Sequence, residues 1–382
     1  MTTPTVERLT EAQIAGELAT MQQRGQYGPH MKARMYETAK LWEAACHGNK
    51  MARAQFLHES MSRDDFSYVL ANVLDKDLME RYGALPRIWP NFARRLTVND
   101  FKPKKLVDIV GGRARLPKVP ELSEYPERKY TDQEFTLTVS KHGDTFGYSW
   151  EMRVNDDVDS LRSIPDDLAQ SAVETEDYEA TAMFVGAGGP DSTFFSVGHG
   201  NLISGNPALT VSSLSNAATQ VSSRLDSDGR PVMVPSLILM VPPGLEITAN
   251  AILKAIHYDF AQGSTSSTSN TIRAENWLAN RFRLVVNHWI PAIDVSGNAA
   301  TTWYVLPDPQ SSRPAGAVGF LRGYESPDIR VAADSGVRTS GAAVPWSEGS
   351  FNRDDIRFRG RHVLGKTTVD WFATAVSNGS GS

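Results

Sequence analysis

Apolar residues recur at helical spacing through one acidic stretch, Ser163 to Val185, at Ile164, Leu168, Ala172, Ala180, Met183 and Phe184. Ser163 with Asp166 three residues on approximates a capping box, and Pro165 suits a first helical turn. Gly186, Gly188 and Gly189 then stop the helix. The apolar stripe is thin, and Asp166, Asp167, Glu174, Glu176, Asp177 and Glu179 make the rest acidic. Such a helix makes a poor core element; it needs neighbours on one side and solvent or another subunit on the other.

The remaining pattern alternates between short helices and short strands. Residues 1–62 read as helices broken by loops, with Glu11–Arg24 and Met31–Ala45 separated by Gly25, Gly28 and Pro29. Apolar residues at helical spacing there, Trp42 among them, make a retained and ordered segment the expectation. Ser62 opens a helix that holds Phe66, Val69, Leu70, Val73 and Leu74 and ends near Tyr82-Gly83. Pro86 to Phe101 mixes prolines, aromatics and basic residues and reads as an extended arm lying on another surface. Gly111 to Glu134 carries both charge signs, few apolar residues, and Pro117, Pro120 and Pro126, which forbid a regular ladder. A loop this long inside a compact domain is functional or disordered.

Beyond it, Phe135, Leu137 and Val139 alternate, then Phe146, Tyr148 and Trp150, and a turn at His142-Gly143-Asp144 between them gives a hairpin or strand pair. Thr210 caps a helix through about Leu225, Val234 to Val241 reads as a buried strand, and Leu245 to Ile256 as a helix. Gln262 to Asn270 is Ser/Thr-rich and reads as mobile. Arg283–Asn287, Thr302–Leu306 and Ala317–Leu321 are short strands, and Asp354 to Phe358 alternates. The terminal Ser377-Asn-Gly-Ser-Gly-Ser is expected not to pack. No solenoid repeat is visible.

Composition narrows the class. The 382 residues suffice for two or three packed units, and 41% hydrophobic with 22% charged residues describes a soluble globular chain. A net charge of −5, from 39 basic and 44 acidic residues, predicts no strong non-specific grip on nucleic acid or anionic membranes. The single cysteine, Cys46, excludes an internal disulfide and fits a reducing compartment. No apolar run approaches the length of a membrane span, and no secretory h-region is visible.

The search for chemistry returns little. Gly198-His199-Gly200 could pose as an oxyanion loop, but no Gly-x-Ser-x-Gly elbow accompanies it, so a turn beside a helix is the expectation. Cys46-His47 adjoin in sequence, which is not the spatial pairing a thiolate nucleophile needs. The eight histidines never fall at metal-ligand spacing. Asp156-Asp157 and Asp354-Asp355 read as solvated turns or salt bridges. Lys102, Lys104 and Lys105 near Arg94 and Arg95 lack the aromatic interleaving of a single-strand binder and read as an interface patch. No catalytic, cofactor-binding or metal residue emerges, which favours a structural protein.

Several phrases in this order resemble a known family. Asp65-Phe66, then Tyr82, Pro86, Trp89, Phe92 and Asp100-Phe101, look like the Mu-like major head subunit family. So do Asn155-Asp156-Asp157, Phe195-Ser-Val-Gly-His-Gly-Asn-Leu202, Leu239-Met-Val-Pro-Pro-Gly-Leu245 and Asp354-Asp-Ile-Arg-Phe-Arg-Gly360. The layout resembles a tailed-bacteriophage major capsid protein of the Hong Kong 97-like fold, from about Ser62 to about Lys366; residues 1–61 are not covered.

The resemblance implies an α+β fold with an N-arm, an extended E-loop, a peripheral domain with a spine helix, and an axial domain. On this chain it implies an N-terminal helical segment 1–62, an N-arm 63–110, an E-loop 111–135 and a peripheral domain 136–210 with the spine helix 163–185. An axial domain 211–340 and a return to the peripheral domain over 341–382 complete it. E-loop contacts between subunits would come from Arg113, Arg115, Lys118, Glu121, Glu124, Glu127, Arg128 and Lys129, and N-arm contacts from Trp89, Phe92, Arg94 and Arg95. The implied partners are copies of the chain in hexamers and pentamers of an icosahedral shell, then portal, scaffold and decoration proteins. Packaged double-stranded DNA would be touched non-specifically, and no membrane is involved. The implied place is the virion capsid, assembled in the host bacterial cytoplasm. A covalent cross-link from Lys118 or Lys129 is conceivable by the same analogy, with no partner asparagine identifiable. An encapsulin-like nanocompartment shell and a hydrolase with degenerate motifs stand as alternatives.

Overall fold

The computed structural model describes residues 44, 51, 75–108, 118–121, 133–149, 151, 158–226, 229, 231–262, 270–332, 339, 353 and 355–381. The helices expected in residues 1–62, most of Gly111 to Glu134, and Cys46-His47 lie outside them. The chain divides into two units. Unit 1 comprises residues 1–84, 143–170 and 327–361; unit 2 comprises 85–142, 171–326 and 362–382.

Unit 2 is built on one sheet with both faces covered. Its strands are β7 (Leu237–Val241), β10 (Phe282–Val286), β11 (Trp303–Pro307) and β15 (Ala375–Ser377), in the order β10-β7-β11-β15. β7 runs parallel to β10 and antiparallel to β11, which pairs antiparallel with β15. Alternate residues of one strand feed two cores, because successive side chains point to opposite faces. Leu237, Leu239 and Val241 pack with the helices α2 (Val211–Ser223) and α3 (Glu246–Lys254), through Leu214, Ala218, Ala249 and Leu253. Ile238 and Met240 pack instead with Met183, Phe184, Phe194, Tyr304, Phe320 and Trp89. A strand covered on both sides must be apolar throughout, which is why Leu237–Val241 is an unbroken hydrophobic run.

Local sequence explains the helix ends. Thr210 caps α2: its side chain accepts from the Ser213 N–H, and Ser213 accepts from the Thr210 N–H, a full capping box. α3 follows Pro242-Pro243-Gly244 as expected. β8 (His257–Gln262) and β9 (Asn270–Glu275) pair antiparallel on either side of the Ser/Thr-rich segment, whose residues 263–269 lie outside those described.

A second ladder in unit 2 joins β1 (Arg94–Val98), β12 (Gly316–Leu321) and the part of β14 (Asp355–Thr368) that lies beyond Arg361. β1 runs parallel to β12, which pairs antiparallel with β14 from Gly316↔Thr368 to Phe320↔Leu364. β2 (Lys104–Asp108) pairs with β3 (Gln133–Leu137), so the last residues assigned to the E-loop, Gln133, Glu134 and Phe135, form a strand.

In unit 1, residues 75–84 are helical, β13 (Asp328–Val331) pairs with β14 through Asp328↔Arg361 to Val331↔Phe358, and Arg361 grips Asp328 with two donors at 2.8 and 2.9 Å. Phe146 stacks on Phe358 with centroids 5.6 Å apart.

Four expectations are corrected. The long helix, α1, spans Val158–Thr181, so Pro165 lies inside it rather than at its first turn, and the helix ends before Gly186. The chain then turns into the short pair β5 (Val185–Gly186) and β6 (Gly189–Pro190). There is no hairpin at residues 142–144: β4 (Val139–Ser149) runs straight through and pairs with β14. Gly143 is there for close approach, since a Cβ would collide with the Gly360 carbonyl. The C-terminal tail does pack: β15 is buried, the Gly381 N–H donates to the Asn206 carbonyl at 2.7 Å, and Ser377 Oγ donates to the Pro207 carbonyl at 2.7 Å. Its glycines let two backbones meet without side chains between them.

Candidate assembly surfaces

The arm expected to lie on another surface is anchored in its own chain. Residues Trp89–Asn91 form a 3-10 turn with Pro90 inside it. Trp89 is 3% exposed and Phe92 1%, so both rings, expected as contacts to a neighbour, belong to the core of unit 2. Trp89 lies against Phe320 at 5.7 Å, and Phe92 meets Phe184 edge-on at 6.2 Å. The polar side of this anchor comes from α1. Glu176, fully buried, accepts from Trp89 Nε1 at 2.7 Å and Arg87 Nε at 3.2 Å. His362 Nε2 stands 2.8 Å from its other oxygen. Asp177 Oδ1 accepts from the Trp89 N–H at 2.8 Å and the Ile88 N–H at 3.0 Å.

Burial pushes the Asp177 carboxyl up to about 6, against the pull of its two backbone donors; Glu176 beside it adds to the rise and Arg87 opposes it. The sequence puts these acids on the polar side of the helix, toward solvent or another subunit. Their positions held the signal: Ala169, Ala172, Val173, Glu176, Asp177 and Ala180 are the buried face of α1 at spacings of three and four, and the acids lie on it. On the helix's remaining girth Glu179 pairs with Lys366 at 2.8 Å.

Arg94 and Arg95 leave the anchor on β1. Arg94 is half-buried and Arg95 exposed, with its guanidinium 4.8 Å from the Phe320 ring centroid. Lys102 and Lys104 are exposed. Of the eight E-loop residues, Lys118 and Glu121 are described and exposed; Arg113, Arg115, Glu124, Glu127, Arg128 and Lys129 lie outside the described residues.

The Gly-His-Gly loop is a structural joint. His199 Nδ1 lies 2.9 Å from the Phe194 carbonyl, and the ring stacks on Trp371 at 4.4 Å. The Gly200 carbonyl accepts from Gln220 and from Arg224, which also donates to the Phe372 and Thr374 carbonyls. Burial lowers the Arg224 guanidinium from its ordinary value, and Asp370 opposes that. Nearby, Arg313 bridges two buried carboxylates, Asp226 at 2.6 Å and Asp370 at 3.3 Å. Sequence reading finds neither arginine, because their partners are backbone carbonyls 24 to 150 residues away and acids 57 and 87 residues away. Among the described residues no group of His, Cys, Asp and Glu could hold a metal ion, and no helix is long and apolar enough to cross a membrane.

A family model described as phage capsid protein matches residues 133–377, more than half of the chain. The chain belongs to the phage capsid protein family. This capsid chain has the α+β class expected, and its family is a structural one. No curated protein matches it. Solved structures similar to the capsid chain include one titled Mycobacterium phage Ogopogo, at 12% identity and a TM-score of 0.36, covering 74% of this chain and 88% of that one. The capsid of a native GTA particle is similar at 13% and 0.41, covering 77% and 91%. The holo-SrpI encapsulin of Synechococcus elongatus is similar at 10% and 0.38, covering 75% and 85%.

Proposed function

We propose that this chain is the major capsid protein of a tailed bacteriophage, with the Hong Kong 97-like layout inferred from its sequence. Copies close by rotation into hexamers and pentamers, heterologous rings that tile an icosahedral shell around double-stranded DNA. The observation that carries the reading is the family match over residues 133–377. Residues 63–110 then serve as the N-arm, 111–135 as the E-loop, 136–210 as the peripheral domain with α1 as its spine helix, 211–340 as the axial domain, and 341–382 as the return to the peripheral domain. Arg94 and Arg95, with the E-loop charges Arg113, Arg115, Lys118, Glu121, Glu124, Glu127, Arg128 and Lys129, meet complementary charge on neighbours. The subunit catalyses no reaction. Portal, scaffold and decoration proteins are its partners, and the shell assembles in the host bacterial cytoplasm and becomes the capsid of the virion.

Negative-stain microscopy of the purified full chain tests the reading. Closed shells, or capsomer rings that close when the virus's scaffold is added, are expected. A chain that stays monomeric across salt and concentration, with no shell even beside its partner proteins, overturns it.

A further inference from the structure

The sheet of unit 1 buries one face and leaves the other to arginines. β4 and β13 flank β14, and side chains along each strand alternate between the two faces. On the packed face Phe146 stacks on Phe358, and Leu168 of α1 occupies the space where Gly360 has no side chain. The opposite face takes Arg357, Arg359 and Arg361 from β14 and Arg330 from β13. Two aspartates share it. Arg357 Nε donates to Asp355 at 2.8 Å, and Asp328 accepts from Arg361 Nε at 2.8 Å and Arg330 Nε at 2.9 Å.

Arg359 is the odd member. It stands directly across the ladder from Arg330, and like charges directly opposite each other destabilise a strand pair. Arg330 turns toward Asp328, whereas Arg359 is exposed and meets no carboxylate among the described residues. Four arginines against two aspartates leave an excess of positive charge on this face, in a chain whose net charge is −5. An anion placed between Arg330 and Arg359 would turn the repulsion into attraction.

We propose that this face receives a carboxylate-bearing segment of a second copy of the chain, with an acid seated between Arg330 and Arg359. A guanidinium offers paired N–H donors in one plane, the geometry a carboxylate accepts. A nucleic-acid backbone fits less well: it presents negative charge alone and would also meet Asp328 and Asp355. A protein surface of mixed sign can answer both kinds of group, and such interspersed charges fix register. The chain carries 44 acidic residues against 39 basic, so its copies have acids to supply. A basic face on one copy meeting a different, acidic surface on the next is a heterologous contact, the kind that closes into rings. The choice of a second copy rests on the shell reading above; the uncompensated arginine pair does not.

Arginine footprinting with phenylglyoxal, read by peptide mass spectrometry, tests this on the unmodified full chain assembled without nucleic acid. Labelling of Arg359 is expected to fall about tenfold from dilute subunit to shell and to recover on disassembly. Equal labelling in the two states overturns the proposal, and so does protection that appears only in particles filled with DNA. Arg359→Glu gives a second reading. It sets opposite charges across the ladder, so the dilute subunit melts no lower than the original, while shell yield drops about tenfold or more. Undiminished yield from R359E, where the original assembles, overturns this contact and leaves the shell reading standing. An original chain that forms no shell under any condition overturns both.

Discussion

At the scale of residues, this protein spends its buried charge on joints. Arg313 is enclosed with Asp226 and Asp370, so Arg313→Ala removes the cation that both buried carboxylates face. It is expected to cost about 3–5 kcal/mol in urea unfolding; a loss under about 1 kcal/mol contradicts the bridge. Asp177 works differently. Its carboxyl is raised to about 6 in the folded chain, so the folded state takes up a proton between 3.8 and 6. Its contribution is greatest below 3.8, declines as pH rises through 6, and is constant above. The full swing is on the order of 3 kcal/mol at most. Asp177→Asn should therefore match the original chain near pH 4 and exceed it in thermal melts near pH 7. A variant less stable at pH 7 than at pH 4, relative to the original, runs against that sign.

At the scale of elements, glycines decide which backbones may touch. A Cβ on Gly365 would meet the Thr138 backbone carbonyl, and backbone cannot swing aside as a side chain can. Gly365→Ala is expected to destabilise by about 1–3 kcal/mol, as overpacking does, whereas Gly188→Ala, with open space around it, should be near neutral. Equal effects from the two would refute the close-approach reading. The C-terminal segment makes the same point in reverse. Its glycine-rich composition suggested a free tail, yet Gly381 donates to Asn206 and Asn378 accepts from Thr301. Deleting residues 378–382 should lower the melting temperature by several degrees, about the worth of one or two hydrogen bonds.

At the scale of the whole molecule, the question is what copies do together. Reversing Arg113, Arg115, Lys118, Arg128 and Lys129 to Glu should abolish shells while leaving the subunit folded, because rim charges set register more than stability. Circular dichroism beside microscopy reads both parts; a variant that unfolds, or that assembles normally, removes the loop from the interface. With a net charge of −5 the free subunit should bind duplex DNA only weakly and without sequence preference, falling further with salt. Nanomolar, sequence-dependent binding at physiological salt is the outcome that speaks against this.

Much of this was legible in the order of residues. The Leu237–Val241 run, the Thr210 capping box and the helix behind Pro242-Pro243-Gly244 are local patterns, and local physics forms them. The phage-capsid resemblance was legible too, since it rests on phrases in sequence, and the family match agrees. What only the tertiary structure decided is where those elements bury their polar groups. Glu176 and Asp177 look like surface acids until Arg87, Trp89 and His362 arrive from distant parts of the chain to satisfy them. Trp89 and Phe92 look like contacts for a neighbour until β1 threads beside β12. Gly143 looks like a turn until β14 passes within reach. Composition and periodicity carry the local preferences of the backbone. Burial of a charge or an aromatic ring is set by partners far along the chain, and only folding brings those together.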